Sequence, residues 1–535
     1  MNDRVLVVDA LSAGRGQRAT SRDSIGSGPR TVAGVLEKRG VSCRIHRVED
    51  LLSNNRKMTG YDVLAVSAMT MDLAAVEQLV RTWRRQSRHG PVLVGGPIAS
   101  DPLTLLREVR PDLVVIGEAE LTLRELLDAD ALASQCNLED VRGIAYLSPH
   151  GPKITAPRPL VPPDRLSDTV TPSTTRIVDY ATYQASKVYV EVLRGCSNYR
   201  RPSMRLPNGR LCNECGNCES EDPMTRLDCP QGIPPGCGFC SVPGTWGPPR
   251  SRSVESIARE IRELVQLGVH RVVLEAPDFL DYFRAPYPLT DPCHPRANLD
   301  AIRSLLSTVT HIEEFRNGSC HLSIENIKAC LLDDRVAELL SELLPGSRPN
   351  IGVETGSASH MKRIGKCGSP DDVIRAVRTA HAHGMSPFVY FIYGLPEESP
   401  ESVAESVALM RQLSEAGAGR IILYGFQSLP CTAFDGFPDS NRNDPVASAL
   451  RKEANRINLS KKEDYVGRLV RGIAAEPSWE HFGQTIVYGL ENGPMMTVTG
   501  GFSPGTVVTV RVTSVVSPSL LAGEVIPEAD TAGRH

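Results

Sequence analysis

Apolar residues in the first 130 positions come in short continuous runs separated by amphipathic stretches. VLVVDA is followed by a helical pattern through TVAGVLEKRG, then by VSCRIHRV, YDVLAVSAM, the helix-like AAVEQLVRTWRRQ, PVLVGGP, the helix-like LTLLREV and LVVIGEAE. Strands without polar alternation are buried on both faces, so their interleaving with helices predicts a doubly wound α/β domain over 1–130. Ligands of such sheets bind beyond the carboxyl ends of the strands. Those ends carry Ser67-Ala68-Met69-Thr70, Gly95-Gly96-Pro97 and Gly117-Glu118-Ala119-Glu120, small-residue loops with room for a large ligand.

The pattern then lapses over 131–185, where Pro, Ser and Thr dominate (SPHGPKITAPRPLVPPDRLSDTVTPSTT) and an extended linker with one small hairpin is expected. From 186 to 437 alternation of strand and helix resumes through VYVEVL, SVESIAREIRELVQLGV, RVVLEA, ANLDAIRSLLSTV, CHLSI, RVAELLSELL, NIGVETG, SPDDVIRAVRTAHAHG, SPFVYFIYGL, ESVAESVALMRQLSEAG and RIILYGF. Six β/α units fit, which predicts a partial (β/α)6 barrel with functional groups at the strand ends. After a connector at 438–459, the stretch 460–527 changes to period-two strands (TIVYGL, MMTVTGG, TVVTVRVTSVV, LLAGEVI) between Gly, Pro and Asn turns. A small antiparallel β-barrel is the natural reading, followed by a tail at 528–535.

A length of 535 residues requires more than one core. With 41% apolar and 23% charged residues the composition is that of ordinary globular protein, and no apolar run approaches a bilayer span. The N-terminus, MNDRVLVVDALSAG, enters a strand directly without the marks of an export signal, so a cytoplasmic location and no membrane partner are expected. A net charge of −4 neither demands nor excludes nucleic acid.

Cysteine usage changes the picture. Of fourteen cysteines, seven lie between Cys196 and Cys240. Reduced cysteines gathered in sequence point to metal or catalysis. The scattered seven, Cys43, Cys136, Cys293, Cys320, Cys330, Cys367 and Cys431, read as small buried hydrophobes. Cys196 follows the first barrel strand in Leu193-Arg194-Gly195-Cys196, and Pro235-Gly236-Cys237-Gly238-Phe239-Cys240 ends the loop beyond it. Three thiolates on one strand-end loop hold three irons of a 4Fe-4S cluster and leave the fourth open.

Cys196, Cys237 and Cys240, with aromatic Phe239 before the last, resemble the radical S-adenosylmethionine (SAM) motif. The resemblance implies that SAM chelates the open iron and that an electron from the cluster, delivered by a donor such as ferredoxin or flavodoxin, cleaves it to a 5′-deoxyadenosyl radical. About forty residues intervene between Cys196 and Cys237, far more than the family motif has. That excursion holds Cys212, Cys215, Cys218 and Cys229, a spacing suited to zinc or to an auxiliary iron–sulfur cluster. Taking Cys212, Cys215 and Cys218 as the radical cluster is a weaker assignment, because they lack the preceding strand and the aromatic.

Further motifs follow in the family's order. Arg250-Ser251-Arg252 resembles the Arg-Ser-Arg of methylthiotransferases, which implies a cofactor contact by Arg252, as the motif's aromatic implies one by Phe239. Glu275-Ala276-Pro277-Asp278 stands, in altered form, where the family grips the cofactor's amino group, which implies Ala276 and Asp278. Ile351 to Ser357 (IGVETGS) matches the strand-four motif, implying cofactor contacts by Glu354, Thr355, Gly356 and Ser357. Phe391 to Ser399 (FIYGLPEES) matches the strand-five motif, implying Gly394 and Pro396 near adenine. Ser428-Leu429-Pro430-Cys431-Thr432-Ala433 resembles a late methylthiotransferase motif with Cys431 in place of Gly.

The N-terminal domain resembles the cobalamin-binding domain that precedes many radical SAM domains, but lacks the Asp-x-His-x-x-Gly signature. Cobalamin bound without that histidine and a domain without ligand both remain open. The terminal strands resemble a TRAM domain at Val466-Gly467, Val498-Thr499-Gly500-Gly501, Pro504 to Val508 and Leu521 to Val525, which implies RNA binding with Arg468, Arg471 and Arg511 available. The combined resemblance implies an RNA-modifying enzyme, acting on tRNA, that adds methylthio or methyl to an unactivated carbon. The N-terminal segment offers only Cys43 and Cys136 where methylthiotransferases supply three cluster cysteines, so sulfur would have to come from the Cys212–Cys229 loop. A radical enzyme acting on a lipid or small molecule, with the barrel as an interaction module, is the alternative. A metal-binding scaffold without catalysis leaves the cofactor motifs without a purpose.

Overall fold

The computed structural model describes residues 4–19, 21–86, 90–129, 137–479, 482–491 and 493–527. Cys136, the start of the expected linker and the tail 528–535 lie outside the described residues. The chain divides into two compact units. The first gathers the described residues up to Tyr183 with Val188–Val190 and Arg259–Gly268; the second holds Gln184–Lys187, Glu191–Ala258 and the chain from Val269 onward.

In the first unit β1 (Arg4–Asp9), β2 (Ser42–Arg47), β3 (Val63–Ser67), β4 (Val92–Gly95), β5 (Leu113–Val115), β6 (Ile144–Ser148) and β7 (Gly151–Ile154) form one sheet in the order β2-β1-β3-β4-β5-β6-β7. The first five run parallel, and the hairpin β6–β7 extends the edge antiparallel. Continuous apolar runs make this possible: Val5, Leu6, Val7 and Val8 are all buried. The helix Leu73–Gln86 buries Val76, Leu79, Val80 and Trp83 in the core, and the Trp83 indole donates to Gly90 O at 3.0 Å. Strand order reverses between β1 and β3. In a doubly wound sheet that reversal opens the crevice where ligands bind.

The six strands expected of the partial barrel are β8 (Lys187–Glu191), whose middle, Val188–Val190, belongs to the first unit, and, in the second unit, β9 (Arg271–Glu275), β10 (His321–Ile324), β11 (Asn350–Glu354), β12 (Phe388–Tyr393) and β13 (Arg420–Gly425). β9–β10, β11–β12 and β12–β13 pair in parallel, and Asn350 N donates to Glu325 O at 2.9 Å to carry the ladder across from β10. Just past β8, Val192 N donates to Glu275 O at 3.0 Å. The outer strand β13 does not leave a bare edge. Asn458, on the helix Pro445–Glu463, accepts from Ile421 N at 3.0 Å and donates to Ile421 O at 2.7 Å, a side-chain amide in place of another strand.

The chain ends in a closed barrel of β14 (Leu469–Pro477), β15 (Gln484–Gly489), β16 (Met495–Thr499), β17 (Val507–Ser517) and β18 (Leu520–Ile526), in the order β14-β15-β16-β18-β17. The parallel pairing of β16 with β18 closes it, so the barrel is not wholly antiparallel. Its interior is apolar, with Val487, Met496, Val498, Val508, Val510 and Val512 buried together. Four strands are visible in the sequence and five are present. β14 escapes the period-two pattern because Gly472 interrupts it, and Gly472 is needed because a Cβ there would lie 2.9 Å from Tyr488 O. Among the described residues no helix is long and apolar enough to cross a membrane.

Candidate cluster and cofactor site

Cys196 leaves the first barrel strand on a tight turn, and its amide donates to Gly247 O at 3.1 Å. Asn198 ties the distant cysteines together. Its backbone N donates to Cys196 Sγ at 3.4 Å, while its side-chain amide donates to Cys237 Sγ at 3.3 Å and to Gly365 O at 3.0 Å. Cys240 N donates to Cys237 O at 2.8 Å, closing the turn around Phe239. The forty-residue interval therefore does not separate Cys196 from its partners in space. Burial pushes the Cys196 thiol up to about 12 and raises Cys237 and Cys240 as well.

Beside Cys196 lies a buried ionic network of which the sequence motifs announce only Asp278. Lys328 Nζ is 2.7 Å from Asp278, 2.8 Å from Asp281 and 2.9 Å from Ser197 Oγ. Arg284 also binds Asp281 and Ser197, at 2.9 and 3.0 Å. Burial alone would raise Asp281 and lower Lys328. Lys328 and Arg284 hold Asp281 below its ordinary value, and Asp278 and Asp281 hold Lys328 well above its own. Asp278, one of the residues expected to touch the cofactor, is thus committed to Lys328 and caps the turn Phe279–Asp281 through Leu280 N.

Glu354 ends β11 with φ +68° and pairs with Lys366 at 2.8 Å. Thr355 Oγ1 lies 3.3 Å from His360 Nδ1, and His360 Nε2 lies 2.9 Å from Pro396 O, so one buried histidine links the strand-four and strand-five motifs. Gly356 is required by packing: its N donates to Ser406 Oγ at 2.8 Å, and a Cβ would fall 2.6 Å from Ser406 N. Ser357 precedes the helix Ala358–Arg363. Gly394, with φ +74°, donates to Glu398 at 2.8 Å. Phe239 packs against the apolar cluster of Ile364, Leu395 and Phe434. Ala276 is buried at the end of β9. Arg252 is turned inward, donating to Glu191 O at 2.8 Å and Ser256 Oγ at 2.9 Å, so its position is that of a brace for the first strand end.

Two further groups at the strand ends were not legible in the motifs. Glu325, after β10, is pushed up to about 8 by burial and by the nearby Glu275. Tyr390 and Tyr424 stack with ring centroids 5.6 Å apart and planes 11° apart, and Tyr424 is exposed although it lies on a barrel strand. Only the two-residue offset of Lys328 from Cys330 and the adjacency of Lys366 to Cys367 hint at the buried lysines in the sequence.

The cysteines of the excursion spread over its surface. Cys215 is exposed, Cys212 and Cys229 pack at the edge of the Phe434 cluster, and Cys218 accepts from Arg201 at 3.3 Å. A tighter grouping arises elsewhere: among the described residues, Cys293, Cys330 and Cys367 are the one set of three or more potential ligands whose atoms lie within 4.8 Å of one another. The expectation that these three are unrelated buried hydrophobes is corrected by their convergence. The Cys196 trio falls outside that radius for a physical reason, since each thiolate of a cubane binds a different iron.

Residues 228–410 match the radical SAM superfamily, and residues 23–127 match the B12 binding domain. The chain belongs to the radical SAM superfamily. Uncharacterized proteins of Methanopyrus kandleri and Methanocaldococcus jannaschii are each 39% identical to it, covering 98% and 93% of this chain and 97% and 94% of their own. The tRNA-2-methylthio-N(6)-dimethylallyladenosine synthase of Geobacillus kaustophilus is 25% identical over 56% of this chain and 54% of its own. Among solved structures, the radical SAM methyltransferase TsrM of Kitasatospora setae, with cobalamin and a [4Fe-4S] cluster bound, shares the fold with a TM-score of 0.56 at 14% identity, covering 81% of this chain and 74% of that one. This chain is therefore a radical SAM enzyme with a B12 binding domain, similar in sequence to methylthiotransferases and in fold to a cobalamin-binding radical SAM methyltransferase.

The residues present fit the implied cluster. Cys196, Cys237 and Cys240 are soft ligands, the first two bridged by Asn198, and two partly buried lysines, Lys328 near Cys196 and Lys366 near Cys237, carry charge that offsets that of thiolate-bound iron. In the first unit the crevice beyond β1 and β3 carries Ser12, Met69 and Asp72. Buried Asp72 accepts from the backbone of Ser12, Gly14 and Met69 at 3.1, 2.7 and 2.9 Å, shaping the loops, while Met69 and Met71, on the same turn, expose apolar side chains. A preshaped crevice with an apolar rim suits a large corrin, and its strand-end loops contain no histidine.

Proposed function

We propose that this enzyme transfers a methyl group to an unactivated carbon of an RNA base, tRNA being the substrate class, with cobalamin held in the first unit without a histidine ligand. When bound, the cluster and SAM supply a hydrogen-abstracting radical and cobalamin supplies a transferable methyl group. The chain's own residues do the rest. Cys196, Cys237 and Cys240 ligate the cluster, Glu354 and the backbone around Gly394 orient SAM, Lys328 and Lys366 balance charge, and the Tyr390–Tyr424 pair offers a flat surface for an aromatic substrate.

The observation that carries the RNA reading is the closed terminal barrel with its outward face. Leu469 pairs with Arg511 and Arg471 with Thr509, which places Arg471 and Arg511 on one exterior side, with Arg468 exposed nearby in sequence. Trp479 and Phe482, in the β14–β15 turn region, are exposed, and Phe482 is fully so. Small barrels grip single-stranded RNA by aromatic stacking combined with local positive charge.

The cysteine-rich excursion from Cys212 to Cys229 supports a second reading, methylthio transfer with sulfur drawn from that loop. One experiment separates the readings. Anaerobically reconstituted protein is incubated with reductant, SAM, methylcobalamin and bulk tRNA, and the digested nucleosides are examined by mass spectrometry, alongside tRNA from a strain lacking the gene. A nucleoside gaining one methyl group supports the proposal; a gain of methylthio supports the second reading. Unaltered nucleosides in both samples would turn attention to a lipid or small-molecule substrate.

A further inference from the structure

Cys293, Cys330 and Cys367 reach one another from three separate segments: the loop after the Phe279–Asp281 turn, the turn Ala329–Leu331 beyond β10, and the loop after the helix Ala358–Arg363. Each segment is pinned independently of the sulfurs. Asp291 accepts from the amides of Cys293 and His294 at 2.9 and 3.0 Å. Arg375 donates to Leu332 O at 2.8 Å and Ala329 O at 3.3 Å, fixing the turn that carries Cys330. Cys367 is only 8% exposed, and it follows Lys366, which is held by Glu354. Convergence of three thiols on three braced loops is more than a disulfide needs. The structure pairs Cys293 with Cys330, and Cys367 is the extra sulfur left beside them.

We propose that, in the reduced protein, Cys293, Cys330 and Cys367 together hold a single thiophilic divalent cation, zinc or ferrous iron. Thiolates sharing one tetrahedral ion, at Zn–S distances near 2.3 Å, stand about 3.8 Å apart. The 4.8 Å grouping accommodates that spacing. The same trio is too tight for three corners of a cubane, which selects a mononuclear ion over a second cluster. Cys293 and Cys330 also line a cavity of about 660 Å3 together with His294, Arg200, Asp333 and Arg375. The cavity gives solvent or a small ligand access to two of the three sulfurs; His294 lines the same wall, but its ring nitrogens lie outside the 4.8 Å grouping.

The disulfide is the oxidised, metal-free form of the site. A dithiol reductant delivers two electrons and two protons to the Cys293–Cys330 bond, giving two thiols as the reductant itself becomes a disulfide. Binding of the cation then releases the thiol protons to solvent, and the ion replaces them. This site stands on its own geometry and does not depend on the choice of substrate.

Full-length protein, purified without oxygen and reduced with a dithiol, is analysed for zinc, iron and acid-labile sulfide. Cys367→Ala should lose one equivalent of zinc or sulfide-free iron while labile sulfide and cluster absorbance stay at wild-type level. Loss on Cys215→Ala, which addresses the excursion, should be separate and additive. In wild-type protein, Cys293, Cys330 and Cys367 should resist alkylation until a chelator is added, a measurement that needs no variant and holds even if Cys367→Ala folds poorly. Co2+ added alone to the reduced, chelator-treated Cys212→Ala/Cys215→Ala protein should give sulfur-to-cobalt charge-transfer absorption that Cys367→Ala abolishes. An unchanged metal count in folded Cys367→Ala overturns the proposal, as does a Cys293–Cys330 disulfide that persists in the reduced native protein or alkylation of the three thiols indifferent to chelator.

Discussion

The Nζ of Lys366 lies 2.8 Å from Oε1 of Glu354, and the α-carbon of Gly352 faces both. A Cβ at Gly352 would stand 2.8 Å from Nζ and closer still to the carboxylate. The glycine of the strand-four motif therefore makes room for an ion pair. Gly352→Ala is expected to push the flexible ends of the pair apart, at a cost of about 1 kcal/mol or less in stability. It should also weaken SAM binding about tenfold or more, as loss of a charge-assisted hydrogen bond does. Urea denaturation and equilibrium binding to the reconstituted protein measure the two effects, and normal SAM affinity in a folded Gly352→Ala would detach Glu354 from the cofactor.

Lys328→Met removes the cation shared by Asp278 and Asp281 while preserving much of its volume. Leaving a buried charge uncompensated costs about 3–5 kcal/mol. Arg284 still reaches Asp281, so Asp278 bears most of the loss. Adding Asp278→Asn to Lys328→Met should then recover part of the stability. Thermal melts of the single and double variants decide the matter, and additive losses would contradict it.

Glu325 sets a pH dependence. Its carboxyl, with an ordinary value of 4.5, is raised to about 8 first by burial and then by Glu275. Between those two values the folded chain retains a proton that the unfolded chain has released, so stability declines with rising pH across that window and levels off above it. Glu325→Gln should abolish this decline. Relative to wild type it should be more stable at pH 9 than at pH 4.5, by an amount on the order of 3–5 kcal/mol. Denaturation midpoints of the two proteins that stay parallel from pH 4.5 to 9 would refute the assignment.

Trp479→Ala and Phe482→Ala should each weaken tRNA binding by about five- to a hundredfold, the value of a lost base stack, with little effect on melting temperature. Arg471→Gln combined with Arg511→Gln should instead flatten the dependence of affinity on salt. Titrations of labelled tRNA at several ionic strengths read both. Affinity indifferent to all four substitutions would assign the barrel another task.

Much of this architecture was legible because strands buried on both faces write continuous apolar runs. Val5 to Val8 declare themselves that way, and Phe388 to Tyr393 writes a similar run although only Val389 and Phe391 are fully buried. The radical SAM family was legible too, from cysteine and strand-end motifs standing in fixed order. Local pattern says nothing, however, of partners brought together by the barrel's closure. Lys328 and Asp278 are fifty residues apart and meet only when β9 and β10 pair. The convergence of Cys293, Cys330 and Cys367 is of the same kind, because none of the three has a neighbouring cysteine to mark it. β14 was lost for the opposite reason: Gly472, which its packing demands, erases the alternation that identifies a strand.

Closure of the terminal barrel by β16 and β18 has a practical corollary for handling the protein. A deletion that removes only Leu520–Ile526 frees one edge on β16 and another on β17. Open edges invite pairing between molecules. Trimming the C-terminus by a single strand is thus expected to yield aggregates, whereas cutting the chain before β14 exposes no strand of this barrel at all.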